Sequence, residues 1–164
     1  MVYYDRALEI IKNISDDNHK YAAFIYKGKA SLYDIDKQYQ KALEYYNKAM
    51  STTVATYGEN NLYVADILIG IADVKTHQGE YQLALDNYKE ALGMLLSTLD
   101  ENHSDVANVY YKMAEVYINQ KDYTAAIEYY NKALSIYETT NGKKSPEALE
   151  VKQAIKECKK KMKK

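Results

Sequence analysis

The side chains best suited to metal binding or acid–base chemistry are few in this sequence. The chain has 164 residues, three histidines and one cysteine. Asp73 and His77 lie one helical turn apart, but one histidine and one carboxylate are too few to hold a metal ion. His19 and His103 recur in equivalent connecting segments, and Cys158 lies among lysines, which favour a thiolate, although a small apolar packing role suits it better. With no phosphate-binding loop and no Cys/His ligand spacing, we predict no enzyme activity, no metal and no cofactor.

Charge is spread unevenly along the chain. The net charge is −1, yet the segment 143–164 holds nine lysines against three acids, so the rest of the chain is strongly acidic. We interpret these lysines as the solvated face of a terminal helix rather than as a nucleic-acid or microtubule contact, and we expect no nucleic-acid partner.

The composition also bears on location. No apolar run reaches the length of a membrane span, and the first residues do not resemble a signal peptide. A single cysteine excludes an internal disulfide bond and fits a reducing compartment. We therefore predict a cytoplasmic protein that contacts no membrane.

An internal repeat of 42 residues determines which elements carry these side chains. Tyr39, Tyr81 and Tyr123 open matching segments, and the alanine and tyrosine positions that follow them keep the same step. The repeat predicts a single array with a half repeat over 1–14, which is a second helix only. Complete repeats follow over 17–58, 59–100 and 101–142, and 143–164 forms a terminal helix with a basic tail.

Each repeat has the pattern of two helices. Apolar residues recur at helical spacing, and Gly79-Glu80 and Lys121-Asp122 mark the turn inside two of the repeats. We predict about eight helices, over 2–14, 21–36, 39–57, 61–77, 80–98, 103–119, 122–140 and 145–161. Alanines twelve residues apart, such as Ala30 and Ala42, should allow the paired helices to approach closely, and the repeated tyrosines should fill the core.

These residues resemble the tetratricopeptide repeat family. Its pattern appears on the first helix as Tyr110, Ala114 and Tyr117, and on the second as Tyr123, Ala126, Tyr130 and Ala133. The 42-residue period and the linker segment 101–107 are similar to kinesin-light-chain-like repeats, although the paired asparagines common in that subfamily are missing. The resemblance implies an all-α, right-handed helix–turn–helix solenoid that serves as a protein-interaction scaffold or adaptor.

The resemblance also indicates where a partner would bind, because the first helices of such an array line its concave side. Equivalent positions on this face carry different residues from repeat to repeat. Such variation is expected of residues that recognise a partner, because residues that pack the core must stay alike. Four acids against one lysine favour a basic or neutral peptide or protein segment. The expected partner-binding residues are Phe24, Lys27, Ser31, Asp34, Asp66, Ile69, Asp73, His77, Asn108, Tyr111, Glu115 and Ile118. The alternative is that these positions are merely solvated.

Two other roles are compatible with the sequence. The chain could be an architectural subunit buried in a larger assembly, such as a ciliary or motor complex, or a peptide-sensing regulator of bacterial type. A chaperone-binding clamp is disfavoured, because only Lys27 matches its pattern. The uncovered half repeat over 1–14 predicts either a dimer through that end or a longer array.

Overall fold

The computed structural model describes residues 3, 4, 6, 9 and 19–163, and in this part of the chain the fold is entirely α-helical. The described range 19–163 holds seven helices: α1 His19–Ile35, α2 Tyr39–Tyr57, α3 Leu62–His77, α4 Tyr81–Thr98, α5 Ser104–Asn119, α6 Tyr123–Thr140 and α7 Pro146–Lys161. The predicted half repeat over 1–14, with its helix over 2–14, lies largely outside the described residues.

The helix boundaries lie within two residues of those that the repeat predicts. Several predicted helices began one residue early because the capping residue was counted as helical. Asn61 accepts hydrogen bonds from the backbone N–H groups of Tyr63 and Val64, and Ser145 caps α7 ahead of Pro146. These side chains satisfy backbone donors that have no partner inside the helix.

The turn inside each repeat has one backbone geometry. Lys37, Gly79 and Lys121 occupy the same repeat position, and all three have positive φ angles of 57°, 78° and 62°. The residue at this position donates its N–H to a carbonyl three residues back, as Lys37 does to Asp34 at 2.8 Å. Two of the repeats thus adopt with lysine a left-handed conformation that glycine adopts at lower cost.

The chain forms two compact units, Met1–Glu80 and Tyr81–Lys164. In the first unit, the fully buried alanines Ala30 and Ala42 lie where α1 packs on α2. Ala114 and Ala126 have the same place between α5 and α6 of the second unit. Side chains this small let each helix pair approach closely, as the sequence predicts.

The repeated tyrosines divide into two classes. Tyr46, Tyr88 and Tyr130 are at most 4% exposed and belong to the core. We expected both classes to be core residues. The tyrosines that open the second helices instead remain half-buried: Tyr39, Tyr81 and Tyr123. Each is the first residue of its helix, so that fewer neighbours surround it.

No helix in the described ranges combines the length and the apolar character that a membrane span requires.

Candidate functional site

In the first unit, the predicted binding residues lie on α1 and α3. Phe24, Lys27, Ser31 and Asp34 follow a three-to-four-residue spacing on α1, and Asp66, Ile69, Asp73 and His77 do so on α3. Residues with this spacing share one face of a helix. We call these two faces together the first-helix face of the unit.

Two polar contacts join α1 to α3 across this face. Lys27 Nζ forms an ion pair with Asp66 Oδ2. His77 Nδ1 lies 2.9 Å from Asp34 Oδ1 and hydrogen-bonds to it. The structure therefore brings together residues that are about 40 positions apart in the sequence.

These contacts show that the acids of this face are not simply surrounded by water. Asp66 and Asp34 instead have partners in Lys27 and His77, and the Asp34 side chain is only 12% exposed. Asp73 and Glu115 also take part in contacts. The Lys27 ammonium offsets part of the repulsion between neighbouring carboxylates, and the hydrogen bond with His77 satisfies an oxygen of Asp34.

The middle of the first-helix face is joined to the core through Tyr46 of α2. Its hydroxyl lies 3.0 Å from Ser31 Oγ, and Ser31 also donates a hydrogen bond to the Lys27 carbonyl at 3.2 Å. Burial raises the pKa of Tyr46 to about 12. Because its hydroxyl already has these partners, Ser31 belongs to the packing of the unit more than to a free binding surface.

A cleft opens at the end of the face where α2 finishes and α3 begins. We call it the aromatic cleft; together with the open solvent at its mouth its space is about 250 Å³, and its lining is Ala23, Phe24, Lys27, Thr53, Tyr57, Tyr63, Asp66 and Ile67. The ring of Tyr63 lies 5.2 Å from that of Phe24 and 5.1 Å from that of Tyr57, between centroids. Its floor is buried, whereas the three rings are 40–43% exposed.

In the second unit, the predicted residues lie along α5. Asn108, Tyr111 and Ile118 are half-buried, and Glu115 is exposed. The Tyr111 hydroxyl donates a hydrogen bond of 2.8 Å to Glu150 Oε1 on α7. Burial, assisted by this bond to a carboxylate, raises the pKa of Tyr111 well above its ordinary value.

A second cleft surrounds this hydrogen bond. We call it the polar cleft; together with the open solvent at its mouth its space is about 330 Å³, and its lining is Asn108, Tyr111, Tyr137, Glu147, Glu150 and Val151. Each of these residues stands 84 positions, or two repeats, after a residue of the aromatic cleft. The same location in the repeat therefore forms a cleft in both units, with different side chains.

Sequence reasoning missed part of both linings. The residues not predicted are Thr53, Tyr57, Tyr63 and Ile67 in the first unit and Tyr137, Glu147, Glu150 and Val151 in the second. The period contained a signal for one of them, since Glu150 occupies the repeat position of Phe24, Asp66 and Asn108. The contribution of the second helices, through Thr53, Tyr57 and Tyr137, had no such signal.

The structure also bears on the chemistry that the sequence raised. Within the described ranges, no three His, Cys, Asp or Glu side chains come close enough together to hold a metal ion. Cys158 is 2% exposed, and burial raises the pKa of its thiol despite the neighbouring lysines. Because it is buried, Cys158 is a packing residue of α7. Its raised pKa also makes the thiol a poor nucleophile.

Comparison with solved structures finds the same fold in several helical repeat proteins. BtubC (BKLC) from P. vanneervenii is 21% identical, with a TM-score of 0.72 over 98% of this chain and 72% of its own. A putative kinesin light chain repeat protein of Podosopora anserina is 16% identical, with a TM-score of 0.72 over 85% of this chain and 66% of its own.

The apo form of RapI is 19% identical, with a TM-score of 0.78 over 98% of this chain. The chain spans only 56% of the length of RapI. A search of curated protein sequences finds no match.

A family model gives the assignment. The tetratricopeptide repeat model matches residues 2–53, 35–97 and 105–164, which is most of the chain. The repeat period and the kinesin-light-chain-like neighbours agree with it. The chain belongs to the tetratricopeptide repeat family.

Proposed function

We propose that this chain is a protein-interaction scaffold that binds a basic or neutral segment of a partner on the first-helix face of its repeats. Membership of the tetratricopeptide repeat family supports the general role. The specific binding of a basic or neutral segment is supported by one observation: charged side chains and a cleft occur together on the first-helix face of the first unit.

The charge of that face favours a basic partner. On this face Asp34, Asp66 and Asp73 outnumber Lys27. The Lys27–Asp66 pair is partly exposed, so it contributes little to folding and can exchange for a pair with a ligand. Affinity should be modest and should fall as salt rises, because exposed charges are screened over about 10 Å at 0.1 M ionic strength.

The test reverses the charge of the face. Asp66→Lys combined with Asp73→Lys should abolish binding of a partner recovered from native extract, measured at low and high salt. The control is Asp86→Lys, an exposed position on the second helix α4. It should bind like the parent. Unchanged binding by the double variant, with loss in the control, would place the site on the second helices instead.

Assembly and location form the second part of the proposal. We infer a cytoplasmic chain without a nucleic-acid or membrane partner, built as one array of repeats over 17–58, 59–100 and 101–142 between a half repeat and a terminal helix. The half repeat over 1–14 then associates with a second copy or with further repeats. Sedimentation velocity measures this, and a monomer at every concentration argues against the dimer.

A further inference from the structure

We propose that the aromatic cleft of the first unit binds a single apolar side chain of the partner, next to a basic residue of the same segment. This inference rests on the proposed function, and it names the chemistry of the ligand. The cleft is formed by α1, α2 and α3 within the first unit alone.

The aromatic cleft has a buried floor and an aromatic wall. Ala23, Thr53 and Ile67 are at most 5% exposed and form its floor. The rings of Phe24, Tyr57 and Tyr63 form a contiguous wall above that floor. These three residues are 40–43% exposed. A ligand that covers their rings removes apolar surface from water, and this removal is the main driving force of association.

The repeat supplies an internal comparison that separates recognition from folding. In the polar cleft, two repeats later, Asn108 stands for Phe24 and Glu147 for Tyr63. Asn141 stands for Tyr57 at the same interval. These three positions therefore carry polar residues in one unit and rings in the other, so the fold does not require rings at them, although the polar cleft has Tyr137 where the aromatic cleft has Thr53.

The charge around the cleft indicates the neighbour of that apolar side chain. Asp66 lines the cleft and its side chain is 50% exposed, with Lys27 as its present partner. Asp73 follows Asp66 on the same face of α3. A ligand lysine or arginine can reach Asp66 by replacing Lys27, whereas an acidic neighbour meets the carboxylate of Asp66.

The experiment uses the full chain and synthetic peptides Ac-Gly-Lys-X-Gly-Lys-Gly-NH2, in which X is Phe, Leu or Gly. Titrations at low salt are followed by NMR of the isotope-labelled chain. We expect the Phe and Leu peptides to bind at least about tenfold more tightly than the Gly peptide, since only they bury an apolar side chain. The signals of Thr53, Tyr57 and Tyr63 should shift with Phe and Leu and stay in place with Gly.

The variants copy residues that the chain already uses two repeats later. Phe24→Asn with Tyr57→Asn should reduce the affinity ratio between the Phe and Gly peptides to near one and leave the melting temperature close to that of the parent. The matched control is Leu83→Ala, which removes an apolar side chain that is 49% exposed on α4 and copies Ala125. It should keep the full ratio.

Four outcomes would overturn the inference. The first is equal affinity for the Phe and Gly peptides, or no binding of either. The second is tighter binding when X is trimethyl-lysine, which would make the rings a cage for a cation. The third is a concentration-dependent shift of the same signals without peptide, which would make a second copy the occupant. The fourth is tighter binding of a peptide with aspartates in place of its lysines. The Asp66 and Asp73 charge reversals decide the proposed function separately, because they need no apolar side chain in the ligand.

Discussion

At the scale of single residues, the approach of α2 to α3 depends on a glycine. Gly70 is buried, and a Cβ built at this position would clash with the ring of Tyr46. The Tyr46 ring is 4% exposed and hydrogen-bonded to Ser31, so it cannot move aside easily. Tyr4 lies against Gly28 in the same relation, one repeat earlier. A glycine in a first helix thus accommodates the tyrosine of the preceding second helix.

We predict that Gly70→Ala destabilises the chain by about 1–3 kcal/mol, as overpacking does, although alanine is the better helix former. Urea denaturation followed by circular dichroism measures the change. The matched control is Gly93→Ala in α4, where an added Cβ meets nothing within 4 Å. It should stabilise by about 0.5–1 kcal/mol, since only helix propensity acts there. Two changes of the same sign would contradict the role of Tyr46.

At the scale of elements, each helix pair is specified by the small residues at its contact. Ala114 and Ala126 are fully buried where α5 meets α6, whereas the neighbouring Ala125 is only half-buried. Position 125 corresponds to Leu83 and Lys41 in the earlier repeats, and therefore tolerates large side chains. Adjacent alanines in one helix accordingly have different functions in packing.

We predict that Ala126→Leu destabilises the second unit by about 1–3 kcal/mol, because a larger side chain forces α5 and α6 apart. Ala125→Leu should change the free energy of unfolding by less than about 0.5 kcal/mol. Urea midpoints of both variants make the comparison. Equal losses at the two positions would mean that the repeat alignment of α6 is off by one residue.

The last helix differs from the other first helices at this contact. Lys156 occupies the repeat position of Ala30, Ala72 and Ala114, and it is exposed whereas the three alanines are fully buried. The close alanine contact that joins α1 to α2 is therefore not repeated at this position of α7.

At the scale of the whole molecule, tyrosine dominates the response to pH. The chain has 19 tyrosines. Burial is the first cause that raises the pKa of Tyr46, Tyr111, Tyr130 and Tyr137, and it brings that of Tyr46 to about 12. A raised tyrosine pKa means that the folded state holds its protons more tightly than the unfolded state does.

The stability that these tyrosine protons contribute should therefore be fully present below about pH 10 and fall as the pH rises from about 10 towards 12. Tyr46 alone contributes a loss of about 2 kcal/mol over this window. Urea midpoints at pH 8 and pH 11 measure the fall. Tyr46→Phe should be less stable at pH 8 by about 1 kcal/mol, because it lacks the bond to Ser31, yet it should lose less between the two pH values. An equal loss in parent and variant would exclude Tyr46 as a source of the fall.

The sequence by itself determined the fold class, the 42-residue period and the helix boundaries to within two residues. It could do so because a repeat presents the same local signals several times, and because helix periodicity and capping are local properties. The family model and the solved structures agree with that part of the prediction.

Tertiary structure alone decided which polar groups have partners and which second-helix residues join the clefts. The Lys27–Asp66 and Asp34–His77 contacts form between different repeats, and no local pattern encodes such a pairing. Thr53 and Tyr57 reach the aromatic cleft from α2, so the pattern of the first helices did not predict them. The physical reason is that periodicity specifies the face on which a side chain lies, whereas a contact or a cleft depends on the distance and angle at which neighbouring helices pack.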